Sequence, residues 1–228
     1  MRMEIAFIHE GERPAESASV AMILPGNRLI QPKEHLMKCR TLSKEMGIPV
    51  VTAPFAYEGG AAMAWIGKGQ EILQQACFPD DGFQKGGDVN VFDTPWGPAA
   101  LCCDADIFQP QYARLAAFKG CKCLMASTAR IRIDSVCEYM PEDLPACGDR
   151  GLFFVGPWAS AQANGIAVAA AGRTGGALIL PCALTPRGSG LGESGFDPAD
   201  LARAHREFPV YESMNPKLYE RYRKELEA

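Results

Sequence analysis

The sequence predicts a mixed α/β (α+β) layered domain whose sheets are covered by helices. Three observations carry this. Apolar runs of strand length recur from Glu4 to Leu180. Pro32 to Met46 places Leu36, Cys39, Leu42 and Met46 on one face at helical spacing. Val89 to Ala126 reads as strand, helix and strand in immediate succession.

In chain order, Glu4 to Ile8 is a first strand, and His9 to Ser19 is polar, holds Gly11 and Pro14, and reads as loop. Val20 to Leu24 is a second strand, ended by Pro25-Gly26-Asn27. The helix from Pro32 has proline at its start and Gly47 as its stop. Ile48 to Thr52 returns as a strand. Ala61 to Ile66 and Gln70 to Gln75 flank Gly67-Lys68-Gly69 and predict an antiparallel hairpin. Asp80 to Asp88 is a Gly- and Asp-rich loop.

Val89 to Phe92 alternates like a strand edge, Pro95-Trp96-Gly97 makes a turn, and Ala99 to Cys103 predicts a buried central strand. A helix follows from Pro110 to Gly120, and Cys121 to Ala126 is the next strand. Arg130 to Gly151 is irregular, a rim or lid. Pro157 to Asn164 predicts a short helix, and Ile166 to Ala171 and Ala177 to Leu180 predict strands. Pro186 to Gly195 reads as a flexible surface loop. Its Gly190-x-Gly192-x-x-Gly195 has the letters of a dinucleotide fingerprint, but it follows a loop and too little chain remains after it. Asp197-Pro198 and Asn215-Pro216 each predict a helix start.

The length of 228 residues fits one domain, 1–228, and 47% apolar with 22% charged residues is ordinary for a globular protein. A net charge of −4 without a Lys/Arg cluster argues against nucleic acid as a partner. The N-terminal apolar run is too short for a signal peptide's core, and no segment has the apolar length of a membrane span. Nine cysteines, an odd number in no regular framework, predict reduced thiols and a cytoplasmic setting. Cys121 and Cys123 share one strand face; with Cys102 and Cys103 they lack metal-ligand spacing, so core packing is the better reading. No metal and no cofactor is expected.

The residues from Ala100 to Met125 resemble the carbon–nitrogen hydrolase (nitrilase) superfamily. Its members carry a nucleophilic Cys, an acid two residues later, then a Pro, an Ala-Arg helix, a Gly and another strand. Here these correspond to Cys102-Cys103-Asp104, Pro110, Ala113-Arg114-Leu115-Ala116 and Gly120. Val91-Phe92-Asp93-Thr94 with Gly97 resembles the approach to that strand. Trp158 to Asn164 resembles a later helix, and Ala170-Ala171-Gly172-Arg173-Thr174-Gly175 the strand and turn after it. Pro216-Lys217-Leu218-Tyr219 resembles the common ending. The resemblance implies a four-layer αββα sandwich, here shortened at the N-terminus because only about eleven residues separate the first two strands. It also implies a homodimer and a small amide-like ligand.

The resemblance further implies a working set of a Glu base, a Lys that stabilises the tetrahedral intermediate, and the Cys. The Glu position falls on Gly26, the Lys position near Ala76, Cys77 or Phe78, and the later helix's Glu on Ala163. Cys102 is the nucleophile position by its Cys-x-Asp spacing, with Asp104 orienting the turn and Cys103 as the alternative thiol. The distance from Cys102 to Pro110 is two residues longer than the family's usual spacing, and from Cys103 one longer. Glu34 is the candidate base, with Lys33 and His35 beside it, and Asp80 or Asp81 follows the missing lysine. A thiol with a pKa of about 8.5 is only a few per cent ionised at neutral pH, so amide attack needs a base and a charge stabiliser. Two functions stay open: hydrolysis of a small amide or nitrile through a Cys thioester, and a pseudoenzyme that binds a ligand or dimerises without turnover. A thiol-redox role for Cys102-Cys103 is a third.

Overall fold

The computed structural model describes residues 2–26, 28–67, 69–77, 88–128, 155–173, 175–181, 187–190 and 192–207. The predicted loop from Asp80 to Asp88, except Asp88 itself, the segment Arg130 to Gly151 and the residues Asn215 to Tyr219 lie outside them.

The first half of the chain runs β1 (Met3–Ile8), β2 (Val20–Ile23), α1 (Pro32–Met46), β3 (Val50–Val51), β4 (Phe55–Tyr57), β5 (Gly60–Gly67) and β6 (Gln70–Gln75). Then follow β7 (Val91–Phe92), β8 (Ala99–Cys103), a 3₁₀ turn (Asp104–Phe108), α2 (Pro110–Phe118) and β9 (Cys123–Ser127). The chain continues through α3 (Val155–Asn164), β10 (Ala167–Gly172), β11 (Gly175–Ile179), β12 (Arg187–Gly190), β13 (Gly192–Phe196) and α4 (Pro198–Glu207). One sheet has the order β13-β1-β2-β3-β5-β4, with β6 also on β5; the other has the order β12-β11-β10-β9-β8-β7. In each sheet three neighbours are parallel, β1–β2–β3 and β8–β9–β10.

Period-two alternation builds the layers. Met3, Ile5 and Phe7 of β1 meet Leu101, Cys103, Met125 and Ala169 between the two sheets. The opposite face of β1 and β2, with Ala6, Ile8, Ala21 and Ile23, packs under Leu36, Cys39 and Leu42 of α1. The opposite face of β8 to β10, with Ala100, Cys102, Leu124 and Val168, packs under Tyr112, Ala113 and Ala116 of α2 and Ala161 of α3. The result is the expected helix–sheet–sheet–helix sandwich.

Two expectations change. The short link between β1 and β2 argued against parallel pairing, yet Ile5 pairs with Val20 and Ile8 with Ile23 in parallel. The link climbs back only from the level of Ile8 to that of Ile5, about 10 Å at the strand rise, which eleven residues cover without a helix. Its turns are closed by Glu12 N–H to the His9 carbonyl and Ala18 N–H to the Ala15 carbonyl, both 3.1 Å. Ala18 then takes part of the role of the missing helix over Ala6 and Ala21.

The Gly-rich segment expected as loop forms β12 and β13, which close the two sheets at one edge. Two glycines of this edge sit close to neighbouring side chains, one in β13 and one in the adjacent β11. A Cβ on Gly195 would lie 2.1 Å from Glu4 Oε2, and one on Gly176 of β11 would lie 2.0 Å from Phe7 Cδ1. Pairing with β1 and β11 outweighs the poor strand propensity of these residues.

Candidate active site

The parallel strands β8, β9 and β10 end in register, with Cys103 beside Ser127 and Ser127 beside Ala171. The edge of a parallel sheet beyond its strand C-termini is the usual location of a site in α/β folds. Here the next residues out are Asp104 and Thr128. Thr128 N–H donates to the Ala171 carbonyl at 3.1 Å, and Thr128 Oγ1 donates to Asp104 Oδ1 at 3.0 Å.

Asp104 is where the chain leaves the sheet. Its φ is +52°, a left-handed conformation that short polar side chains tolerate best among non-glycine residues. Such a residue stores on the order of 1–3 kcal/mol of backbone strain when its surroundings hold it there. The 3₁₀ turn begins at this residue and delivers the chain to Pro110, the first residue of α2. Counted from Asp104, Pro110 falls two residues nearer than from Cys102, which restores the family's usual spacing. The acid two residues further on is then Asp106, which is 0% exposed. Asp106 Oδ2 accepts the Cys77 backbone N–H at 2.8 Å, so the end of β6, where the Lys was expected, abuts this turn.

The two thiols stay inside the strand. Cys102 points towards α2, among Ala100, Ile107 and Tyr112. Cys103 points between the sheets, among Leu101, Met125 and Phe7. Both are 0% exposed. Burial holds the Cys102 thiol well above its ordinary range, and Asp106 adds to the shift. Burial does the same to Cys103, followed by Asp104 and Asp106. The Cys77 thiol is pushed up to about 12 by burial and Asp106. Among the described residues, then, carboxylates surround these thiols and favour S–H over thiolate. The Tyr112 hydroxyl donates to the Leu101 carbonyl and locks α2 onto β8.

The other expected site residues lie elsewhere. Glu34 is exposed on α1 and pairs with Lys38 Nζ at 2.7 Å, which lowers its pKa. Because α1 covers the outer face of the first sheet, both sheets separate Glu34 from Cys102. Glu34 therefore cannot serve as its base. Lys33 is exposed on the same helix, and His35 is buried beneath it against Glu10. Gly26 and Ala163 are exposed, Ala76 is buried, and Asp80 and Asp81 lie outside the described residues.

Sequence reasoning missed Asp106, Thr128 and Gln74. The first was legible in the Pro110 spacing once the turn is placed at Asp104. Thr128 becomes visible only through the β8–β9 register. Gln74, 1% exposed, accepts the Asn90 N–H at 3.0 Å and donates to the Gln75 carbonyl at 2.8 Å, tying β6 to the approach to β7. Among the described residues, no three His, Cys, Asp or Glu side chains cluster as a metal site, and no helix is long and apolar enough to cross a membrane.

No protein-family model matches the sequence, and no curated protein matches it. Solved structures do. A double mutant of the amidase from Nesterenkonia sp. AN1 in complex with acrylamide matches with a TM-score of 0.68 at 15% identity, covering 97% of each chain. A single mutant of that amidase, showing Michael addition of acrylamide at its active-site cysteine, matches at 0.62 and 18%, covering 90% of this chain and 99% of that one. A CN-hydrolase superfamily protein from Xanthomonas campestris, with an arsenic adduct in its active site, matches at 0.71 and 13%, covering 94% and 98%. At such identities the likeness speaks for architecture, and it spans nearly the whole chain: the protein has the fold of the nitrilase-superfamily carbon–nitrogen hydrolases.

Proposed function

We propose that this protein binds a small amide-like ligand at the β8–β10 strand edge without hydrolysing it through a cysteine thioester. The observation that carries this reading is Asp104. It occupies the turn at the end of β8 with φ +52°, at the spacing from Pro110 that the nucleophile of the fold normally has. A carboxylate there is a weak nucleophile towards an amide. It can instead accept hydrogen bonds from an amide N–H₂, as it already does from Thr128. Cys102 and Cys103 are both fully buried within the strand, and among the described residues burial and the nearby carboxylates keep the proton on sulfur.

Hydrolysis through Cys102 is the second reading, favoured by the amidase descriptions of the structural neighbours. The two separate in one experiment. Acrylamide, acetamide and related small amides are added to the protein, with thermal unfolding and ammonia followed together. Binding without turnover raises Tm and releases no ammonia. Ammonia release that Cys102→Ala abolishes supports the hydrolase and overturns the proposal; unchanged Tm at high ligand concentration removes the ligand class. A homodimer and a cytoplasmic setting belong to the same reading, the first being testable by light scattering.

A further inference from the structure

The layer outside the first sheet holds a second grouping of ionisable side chains that the strand-edge site does not use. His35 lies on the inward face of α1, 0% exposed, with the Phe55 ring 6.2 Å away. Its Nδ1 is 3.2 Å from Glu10 Oε2. Its Nε2 is 4.0 Å from the sulfur of Cys39, one helical turn further on. Glu10 is itself held by Lys38 Nζ at 3.0 Å, and the Ala53 carbonyl is a further acceptor for the ring. Glu10, Lys38 and Cys39 line a groove of about 370 Å³ between the loop after β1 and α1, with Met37 and Thr41 at its side.

A carboxylate, an imidazole and a thiol in file is the arrangement in which a base takes the thiol proton while an acid orients the ring. We propose that Cys39 is a reactive thiol of this protein, with His35 as proton acceptor and Glu10 as the positioning residue, reached by small electrophiles through this groove.

The chemistry balances without a further reactant. Burial holds the Cys39 thiol up at about 12, so it rests as S–H. Burial also lowers the His35 pKa, against the pull of Glu10, so the ring rests neutral and it is the Glu10 carboxylate that favours its taking a proton. With iodoacetamide, sulfur bonds to the methylene carbon, the carbon–iodine pair leaves as iodide, and the thiol proton passes to His35 Nε2. Glu10 stabilises the imidazolium until that proton reaches water. The charged groups facing the pair are Glu10, Lys38 and Arg40. Cys77 provides the internal comparison. It is more exposed than Cys39, and its thiol is pushed up to the same value, about 12, by burial and then by Asp106, so a faster Cys39 would report the imidazole and not a lower thiol pKa.

The test is iodoacetamide labelling of the folded protein, read cysteine by cysteine by peptide mass spectrometry. The expected result is that Cys39 reacts about tenfold or more faster than Cys77 and Cys102. Its rate stays nearly flat from about pH 7 to about pH 9, because the base is already neutral. An unassisted thiol with a raised pKa speeds up about tenfold per pH unit over that range. His35→Gln slows Cys39 about a hundredfold, the lower end of a general base's contribution, and Glu10→Gln slows it less. Labelling of Cys77 ahead of Cys39, or a Cys39 rate in the unmodified protein that climbs tenfold per pH unit, overturns the proposal whether or not the variants fold.

Discussion

Thr128→Val isolates the contact that holds the strand-edge turn together. The two side chains have nearly the same shape, so the substitution removes the hydroxyl and little else. Thr128 Oγ1 donates to Asp104 Oδ1 at 3.0 Å, and the two residues are 2% and 7% exposed. A buried hydrogen bond to a charged acceptor contributes about 1.5–3 kcal/mol. For a chain of this size each kcal/mol moves Tm by about 2–4 °C, so a drop of about 3–12 °C is expected. The assay is thermal and urea unfolding of the protein, Thr128→Val, Asp104→Asn and the double variant. In the double variant the second loss should be smaller than in the single ones, because the same bond is being removed twice. A Tm within about 1 °C of the parent, or strict additivity across the cycle, would refute the idea that Thr128 fixes the Asp104 carboxylate.

Two further perturbations probe the layers around that turn. Gly176→Ala should cost about 1–3 kcal/mol in urea unfolding, because its Cβ would lie 2.0 Å from the fully buried Phe7 ring; an unchanged midpoint would mean that β11 and β1 are not packed as described. His35 has its pKa lowered by burial from the ordinary 6.5. The unfolded chain therefore binds the proton first as pH falls, so stability is full above about 6.5 and declines as pH drops below it. His35→Gln should flatten Tm against pH in that window, and an equally steep fall in the variant would assign the acid sensitivity to other groups.

The strand bounds of β8 were legible because both of its faces are buried, so Ala99 to Cys103 had to be a continuous apolar run. Pro32 and Gly47 marked α1 for equally local reasons, since a proline fits a first helical turn and a glycine suits the left-handed stop, φ +68°. β12 and β13 were not legible. Their glycines read as loop, and the pairing of β13 with β1 and of β12 with β11, which makes them strands, is not visible in the sequence. The site was half legible. The Cys-x-Asp spacing drew attention to Cys102, and the excess distance to Pro110 was read as a choice between Cys102 and Cys103, although counting from Asp104 removes it. The proposed reading turns on where the chain leaves the sheet, which is seen in the β8–β9 pairing and the positive φ of Asp104 and not in composition. Glu34 was attractive only by its place in the sequence, and the layer order puts two sheets between it and the thiol.

The claim that Asp104, and not a thiol, occupies the working turn is tested most directly by ammonia release from small amides. The protein is assayed beside Cys102→Ala and Cys103→Ala at concentrations high enough to detect a single turnover per chain. The account predicts no ammonia above the buffer blank from any of the three. Steady release by the unmodified protein that disappears in Cys102→Ala or Cys103→Ala would contradict it.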